Sequence, residues 1–516
     1  MSLDDGSTPR KRVAVVGAGS AGMAAAWSLS CHPDKFEVHV FEPSLVCGGV
    51  ACTLEYGKQK LPVNYGVQGG SPPSHQNTIE LMKVFGVEVC KARLDVSFGK
   101  GKYNWKNYEA KPLQEELRAE TQRFGRVLKW ISRLEFLTIF MSIDFILKLC
   151  RFSDDFRFRM VYPLVALFFG TGNQTPNVSA AVIARVFLDK SLSIFDYDPD
   201  YLLNQTPANI AFDDLANFYE KMKSSMEAAK VQFHMGQRVS SIERAGKVFL
   251  TLEAALEAWR AGSDQLGGKY PLKGGGDGCS SQHAASQVKM ASEVKAANGF
   301  TATVAAKVLE FDEVIMCCPA NVSRDILGSG ANFLERRVLS SVQYFFDLTV
   351  THTDTEYMKR HNEVDDRAIY FIKTYQEEPA SLEMGFELTA YQPALQGLRA
   401  AGERIYQTIF LDKNRSHLWT VNDLDPGKVV DRAWWSAFSH TYEHFRWVVP
   451  WVWTIQGNRH TWYAGSWTLF NTHDIAISSG LAVAHRLGAP YPFAHNELAA
   501  ATFDTVLNAG HLRWRQ

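Results

Sequence analysis

Three glycines in the run Gly17-Ala18-Gly19-Ser20-Ala21-Gly22 follow the apolar stretch Val13-Ala14-Val15-Val16 and precede a helix-forming run, Met23 to Leu29. Glycines at that spacing suit the phosphates of a dinucleotide. Gly17 permits a tight turn, Gly19 lets the backbone approach a pyrophosphate with no Cβ in the way, and Gly22 allows the helix to lie close on the strand. The amides of Ser20 and Ala21 then open a helix whose positive end faces the phosphates. A second apolar strand, Phe36 to Phe41, ends at Glu42, where a carboxylate accepts hydrogen bonds from both hydroxyls of an adenosine ribose. An acid at that place favours an unphosphorylated ribose, hence FAD or NAD over NADP.

The elements that position these residues are a strand, a turn, a helix and a second strand, the opening of a Rossmann-like α/β unit. At 516 residues the chain exceeds one ordinary core, and the strand and helix signals recur in separated blocks. We expect a dinucleotide-binding domain built from residues 8–100, 205–330 and 455–516. It is interleaved with a helical insertion over 101–204 and a substrate domain of mixed sheet over 331–454. Phe212 to Lys230 reads as an amphipathic helix, and Val231 to Ile242 as two short strands whose Val239 lies beside the adenine. Ala261 to Asn298, rich in Gly, Ser and Lys and poor in apolar residues, reads as a disordered insertion.

Composition narrows the partners. Fifty-four basic and 55 acidic residues give a formal net charge of −1, so no overall field gathers nucleic acid. The polar, basic first twelve residues do not read as a signal peptide, and a cytoplasmic location is expected. The eight cysteines match no zinc or C-x-x-C pattern and read as reduced, mostly buried thiols. His440 and His444, four apart, lack a further ligand nearby, so no metal is expected. Asp213-Asp214 reads as a helix cap rather than a catalytic pair. Phe136 to Cys150 is the most apolar helical run, yet it carries Asp144 and Lys148 and falls short of the ~20 residues a bilayer crossing needs. It reads foremost as core or as the wall of an apolar substrate cavity. A peripheral contact with a membrane is the second reading, because the basic, aromatic Arg123 to Trp130 leads into it.

The two ends of the chain together resemble the superfamily of flavin amine oxidases and phytoene desaturases, FAD-dependent oxidoreductases. The early resemblance rests on the glycine turn, Glu42 and the pair Gly48-Gly49. The late one rests on Trp462-Tyr463-Ala464-Gly465-Ser466 followed by His473-Asp474-Ile475 and Ser479-Gly480. Within the superfamily, Val63-Asn64-Tyr65-Gly66-Val67-Gln68 and Ile455-Gln456-Gly457 are similar to the NAD/FAD-binding oxidoreductases found with cyclopropane-fatty-acid-type enzymes. Asn64 and Val50 depart from that pattern, where relatives carry Asp and Arg or His. The resemblance implies FAD as cofactor, with Gly465 passing close to its ribityl and phosphate groups. The amides near Asp474 and Ile475 then stabilise negative charge on the reduced ring. It also places Tyr65, Val67 and Gln68 near the flavin, with Tyr65, Gln68 and His473 as the candidates for catalysis. Amine oxidases of the superfamily carry an aromatic two positions before the acid of the late motif, where this chain has Thr472. An apolar, lipid-like small molecule is therefore the expected substrate, undergoing dehydrogenation or a double-bond shift. Amine oxidation with release of peroxide is the alternative.

Overall fold

The structure, a computed structural model, describes residues 9–190, 195–203, 209–254 and 307–512. The chain divides into two units, one of residues 1–52, 215–340 and 451–516, the other of residues 53–214 and 341–450. The expected insertion at 261–298 lies outside the described residues.

The first unit is built on a five-stranded parallel sheet. Its order is Gln232–Met235, Phe36–Glu42, Lys11–Val16, Glu313–Met316 and Thr461–Tyr463. Val13, Ala14 and Val15 are wholly buried, as a central parallel strand covered on both faces requires. Helix Ser20–Ser30 packs against helix His473–Leu487. Gly480 makes that packing close, because a Cβ there would stand 2.1 Å from the Ala21 carbonyl oxygen. A second, antiparallel sheet joins Gln237–Arg244, Val248–Ala254 and Lys307–Phe311. The two short strands expected between Val231 and Ile242 are present.

Three elements of this unit meet at one buried charge. Arg244 reaches both carboxylate oxygens of Glu335, at 2.5 and 2.9 Å, the Tyr463 hydroxyl donates to Glu335 Oε1 at 2.9 Å, and the Asn332 N–H donates to Oε2 at 2.8 Å. Burial opposes ionisation of Glu335, but the Arg244 guanidinium and the other donors outweigh it and hold the carboxyl below its ordinary range.

The second unit carries a seven-stranded mixed sheet. Its order is Val429–Phe438, Tyr344–His352, Tyr406–Phe410, Leu382–Glu387, Tyr370–Thr374, Val96–Phe98 and Trp105–Lys106. Residues 53–100, expected with the dinucleotide-binding blocks, fall in this unit. The cause is their pairing: Val96–Phe98 joins the large sheet, and Gly69–Gly70 and Val89–Ala92 flank Asn209–Phe212. Residues 101–204 are mainly helical, from Pro112–Glu116 to Ala180–Leu188.

The apolar run from Phe136 is broken into Glu135–Thr138 and Ile143–Leu149, because the Ser142 hydroxyl accepts the Phe145 N–H at 3.1 Å and starts a new helix. Its apolar side chains divide between two environments. Ile143, Ile146 and Leu147 are buried, whereas Phe136, Leu137, Phe145 and Leu149 face solvent. No helix among the described residues is long and apolar enough to cross a membrane.

Candidate functional site

In a parallel sheet all carboxyl ends open at one edge, and that edge is where an α/β unit takes its ligand. Here the first unit gathers the ends of its five strands. Gly17 follows Val16, Glu42 closes its own strand, Gly236 follows Met235, Cys317-Cys318 follow Met316, and Ala464-Gly465 follow Tyr463. The seven described cysteines are free, but the expectation that they are mostly buried is corrected. Cys31 is exposed and the other six are partly exposed, among them Cys317 and Cys318.

The three glycines of the turn differ in what their surroundings allow. Gly17 adopts φ +107°, and a Cβ at Gly22 would lie 1.9 Å from the Gly17 carbonyl oxygen, so the turn and the helix start admit no side chain at either place. Gly19 is different. Its φ of −72° and ψ of −179° are open to any residue, and a Cβ built on it meets nothing closer than Gly49 Cα at 4.0 Å. The position is thus glycine for a reason that the protein's own packing does not supply, which is what a ligand seated against the backbone requires. Helix Ser20–Ser30 begins there with no side-chain cap and no acid in its first turn, leaving its terminal amides and positive end for an anion.

Gly48 seals the other side of the turn, donating its N–H to the Ala18 carbonyl at 2.8 Å and bringing Gly49 beside Gly19. Glu42 accepts the Ala18 N–H on Oε2 at 2.8 Å and the Ser44 N–H on Oε1 at 2.9 Å. Both contacts favour the anion, but burial dominates and raises its pKa. Each oxygen keeps lone-pair capacity for a ribose hydroxyl. These features fit an adenine dinucleotide: an open cradle at Gly19, uncapped amides, and a carboxylate held by backbone donors. Val239 is buried on strand Gln237–Arg244, beside a bulge between Val239 and Ser241.

The two ends of the chain meet in this unit through a residue the sequence reading missed. Tyr219, almost fully buried on helix Leu215–Ala228, donates to Ser20 Oγ at 2.8 Å, and its oxygen stands 2.6 Å from His473 Nε2. With the phenol proton donated to Ser20, the phenol oxygen is left to accept from His473 Nε2–H. Its signal lay in the amphipathic stripe Leu215, Phe218, Tyr219, Met222, where one member of a buried face carries a hydroxyl that needs a partner. Tyr219→Phe is expected to cost about 1–2 kcal/mol, because it removes a buried phenol that links the Ser20 hydroxyl to the His473 ring. Chemical denaturation of the two proteins side by side measures it.

The late motif starts helix His473–Leu487. Thr472 is its N-cap, its hydroxyl accepting the Ile475 N–H at 3.2 Å, so the Ile475 amide, expected to face the ring, already has a partner within the turn. Asp474 is wholly buried in that first turn, and the Gly465 N–H donates to Ser479 Oγ at 2.8 Å.

Tyr65, Val67 and Gln68 belong to the second unit. The Tyr65 ring packs on Trp435 with centroids 5.4 Å apart, and Val67 is partly buried. Gln68 Nε2 donates to Gln407 Oε1 at 2.7 Å, leaving Gln68 Oε1 and Gln407 Nε2 buried with no protein partner. Gln407, wholly buried on a strand of the large sheet, was also missed, since a single polar residue in a strand pattern carries no spacing signal. Asn64 donates to the carbonyls of Phe212 and Asp213, a bracing role that an Asp could not fill. His440 is buried, which pushes its pKa down to about 3, with His444 adding to the effect. Among the described residues no three of His, Cys, Asp and Glu gather as metal ligands.

Comparison with known proteins agrees with this geometry. Residues 15–85 match the family of NAD(P)-binding Rossmann-like domains, and no curated protein matches the chain. Among solved structures, the chain is similar to a CLA-producing fatty acid isomerase from P. acnes, with TM-score 0.59 and 16% identity over 92% of this chain and 98% of that one. It is also similar to cyclohexylamine oxidase from Brevibacterium oxydans IH-35A, with TM-score 0.58 and 12% identity over 93% of this chain and all of that one. Putrescine oxidase bound to putrescine gives TM-score 0.56 and 12% identity over 93% and 100%. The chain shares the fold of these three structures, and in its sequence a Rossmann-like unit is interleaved with a mixed-sheet unit.

Proposed function

We propose that this chain is an FAD-dependent oxidoreductase acting on an apolar, lipid-like substrate, by dehydrogenation or by shifting a double bond. The open Cβ direction of Gly19, between uncapped helix amides and a ribose-ready Glu42, carries the cofactor part of this reading. When bound, the flavin supplies hydride acceptance at its N5, and the protein's tasks are to hold, orient and keep water away. Ser20, Ala21 and Gly22 present amides to the diphosphate. Glu42 takes the ribose, Val239 borders the adenine, and the backbone at Gly465 and Asp474 borders the ribityl chain and ring. His473, hydrogen-bonded to Tyr219, is the candidate to hold a proton. Tyr65 and Gln68, which belong to the second unit, are candidates on the resemblance alone.

Thr472 supports a lipid over an amine. The place where an amine cage has an aromatic ring is occupied here by a helix cap whose hydroxyl is already engaged. An acyl chain gains about 0.8 kcal/mol per buried CH₂ and needs few polar contacts, and the fatty acid isomerase shares the fold. The fold of the two amine oxidases favours the second reading, oxidation of an amine with release of peroxide.

One experiment separates them. The purified protein is expected to be yellow and to release FAD on denaturation. Incubated with polyunsaturated fatty acids, it should give an acid with a moved or added double bond, identified by mass spectrometry. Peroxide formed with primary amines or polyamines, and no change in any fatty acid, would establish the second reading, and a colourless protein that takes up no FAD would exclude both.

A further inference from the structure

We propose that the helical hairpin Arg118–Leu149 of the second unit is a docking surface for an anionic membrane. Its inner stripes, Thr121, Phe124, Leu128 and Ile131 on one helix and Ile143, Ile146 and Leu147 on the other, are buried, and both helices rest on helix Ala180–Leu188. The outer faces therefore point away from that helix. The ends of the hairpin are tied: Phe152 packs edge-on to Phe124 and under the Arg123 guanidinium, and the Ser153 N–H donates to Glu120.

What the outer face displays is unusual for a surface in water. Phe136 is 68% exposed, Leu149 60% and Phe145 50%, with Leu137 and Trp130 beside them in sequence. At the tip, Arg446 donates to the Phe140 carbonyl at 3.1 Å, which brings the exposed Trp447 alongside. Arg126, Lys129, Trp130 and Arg133 recur at helical spacing on one exposed face.

Charge selects the occupant. From Arg118 to Arg151 there are seven basic side chains against three acidic ones, in a chain whose formal net charge is −1. The three acids are engaged locally, Glu120 with Arg123, Glu135 with Arg185, and Asp144 with Arg157 and Lys148. Two copies of so basic a face repel one another, whereas an anionic bilayer attracts the arginines and lysines while the phenyl and leucyl groups enter the boundary of the acyl chains. Trp130 suits the same depth. The hairpin lies on the membrane and does not cross it. This inference is independent of the reaction proposed above.

The test is flotation of the full-length protein with vesicles of phosphatidylcholine alone and of phosphatidylcholine with phosphatidylserine, at low and high salt. Binding is expected with phosphatidylserine only, and it should weaken as salt rises. The double variants Phe136→Ser/Phe145→Ser and Lys129→Glu/Arg133→Glu should each bind about tenfold more weakly. All four side chains are exposed, so circular dichroism should match the unaltered protein. The proposal is overturned if the protein stays unbound with phosphatidylserine vesicles, or if both double variants float as the unaltered protein does. It is equally overturned if light scattering finds a dimer that Phe136→Ser/Phe145→Ser dissolves while vesicles go unbound.

Discussion

Gly19→Val should yield a folded protein without flavin. The backbone at Gly19 already has dihedrals that valine accepts, and no protein atom lies within 4.0 Å of the new Cβ, so the cost to the fold is that of a poor helix cap, about 1 kcal/mol. The isopropyl group instead fills the space the diphosphate needs. Flavin affinity should fall at least hundredfold, about 2.7 kcal/mol or more. The absorbance spectrum of the purified variant reads occupancy, and thermal unfolding of the flavin-free proteins reads the fold. Gly22→Ala is the contrasting control, because its Cβ strikes the Gly17 carbonyl oxygen at 1.9 Å and should destabilise the unit itself. A Gly19→Val protein with full flavin content would remove the cofactor site from this turn.

Glu335→Ala should be the most damaging single change away from the cradle. It leaves the Arg244 guanidinium, whose side chain is 3% exposed, with its charge unmatched, and breaking one partner of a buried pair costs about 3–5 kcal/mol. The Tyr463 hydroxyl and the Asn332 amide lose their acceptor in the same step. Because Glu335 titrates below its ordinary range in the folded chain, its contribution is fully present above the unfolded value, about pH 4, and disappears as acidity passes through the lower folded value. Urea midpoints taken from neutral pH downward should therefore converge for the two proteins as the carboxyl protonates. Replacing both partners, Arg244→Met with Glu335→Leu, should recover much of the loss, since an apolar pair of similar volume removes the unmatched charge. Equal stability of Glu335→Ala and the unaltered protein at neutral pH would show that the pair contributes nothing.

Much of the first unit was legible because its signals are local. The glycine turn, Glu42 and the helix that starts at His473 each follow from a run of adjacent residues, and each lies where its run put it. Long-range pairing was less visible. Residues 53–100 look like a continuation of the opening domain until their strands are seen to pair with segments more than a hundred residues later. Tyr219 and Gln407 went unread for a related reason. A tyrosine in an apolar stripe and a glutamine in a strand acquire meaning only through the groups they touch, Ser20 with His473 in one case and Gln68 in the other. The apolar run from Phe136 misled in a third way: its composition gave no hint that Ser142 would restart the helix and turn half of the side chains outward.

The parallel sheet of the first unit sets a timetable for biosynthesis. Lys11–Val16 pairs with Glu313–Met316, and that strand pairs in turn with Thr461–Tyr463. A ribosome must therefore pass residue 316 before both neighbours of the first strand exist, and residue 463 before the five-stranded sheet is complete. Until the first of these points Val13 to Val16 have Phe36–Glu42 on one side and no sheet partner on the other, a span in which chaperones would shield the growing polypeptide.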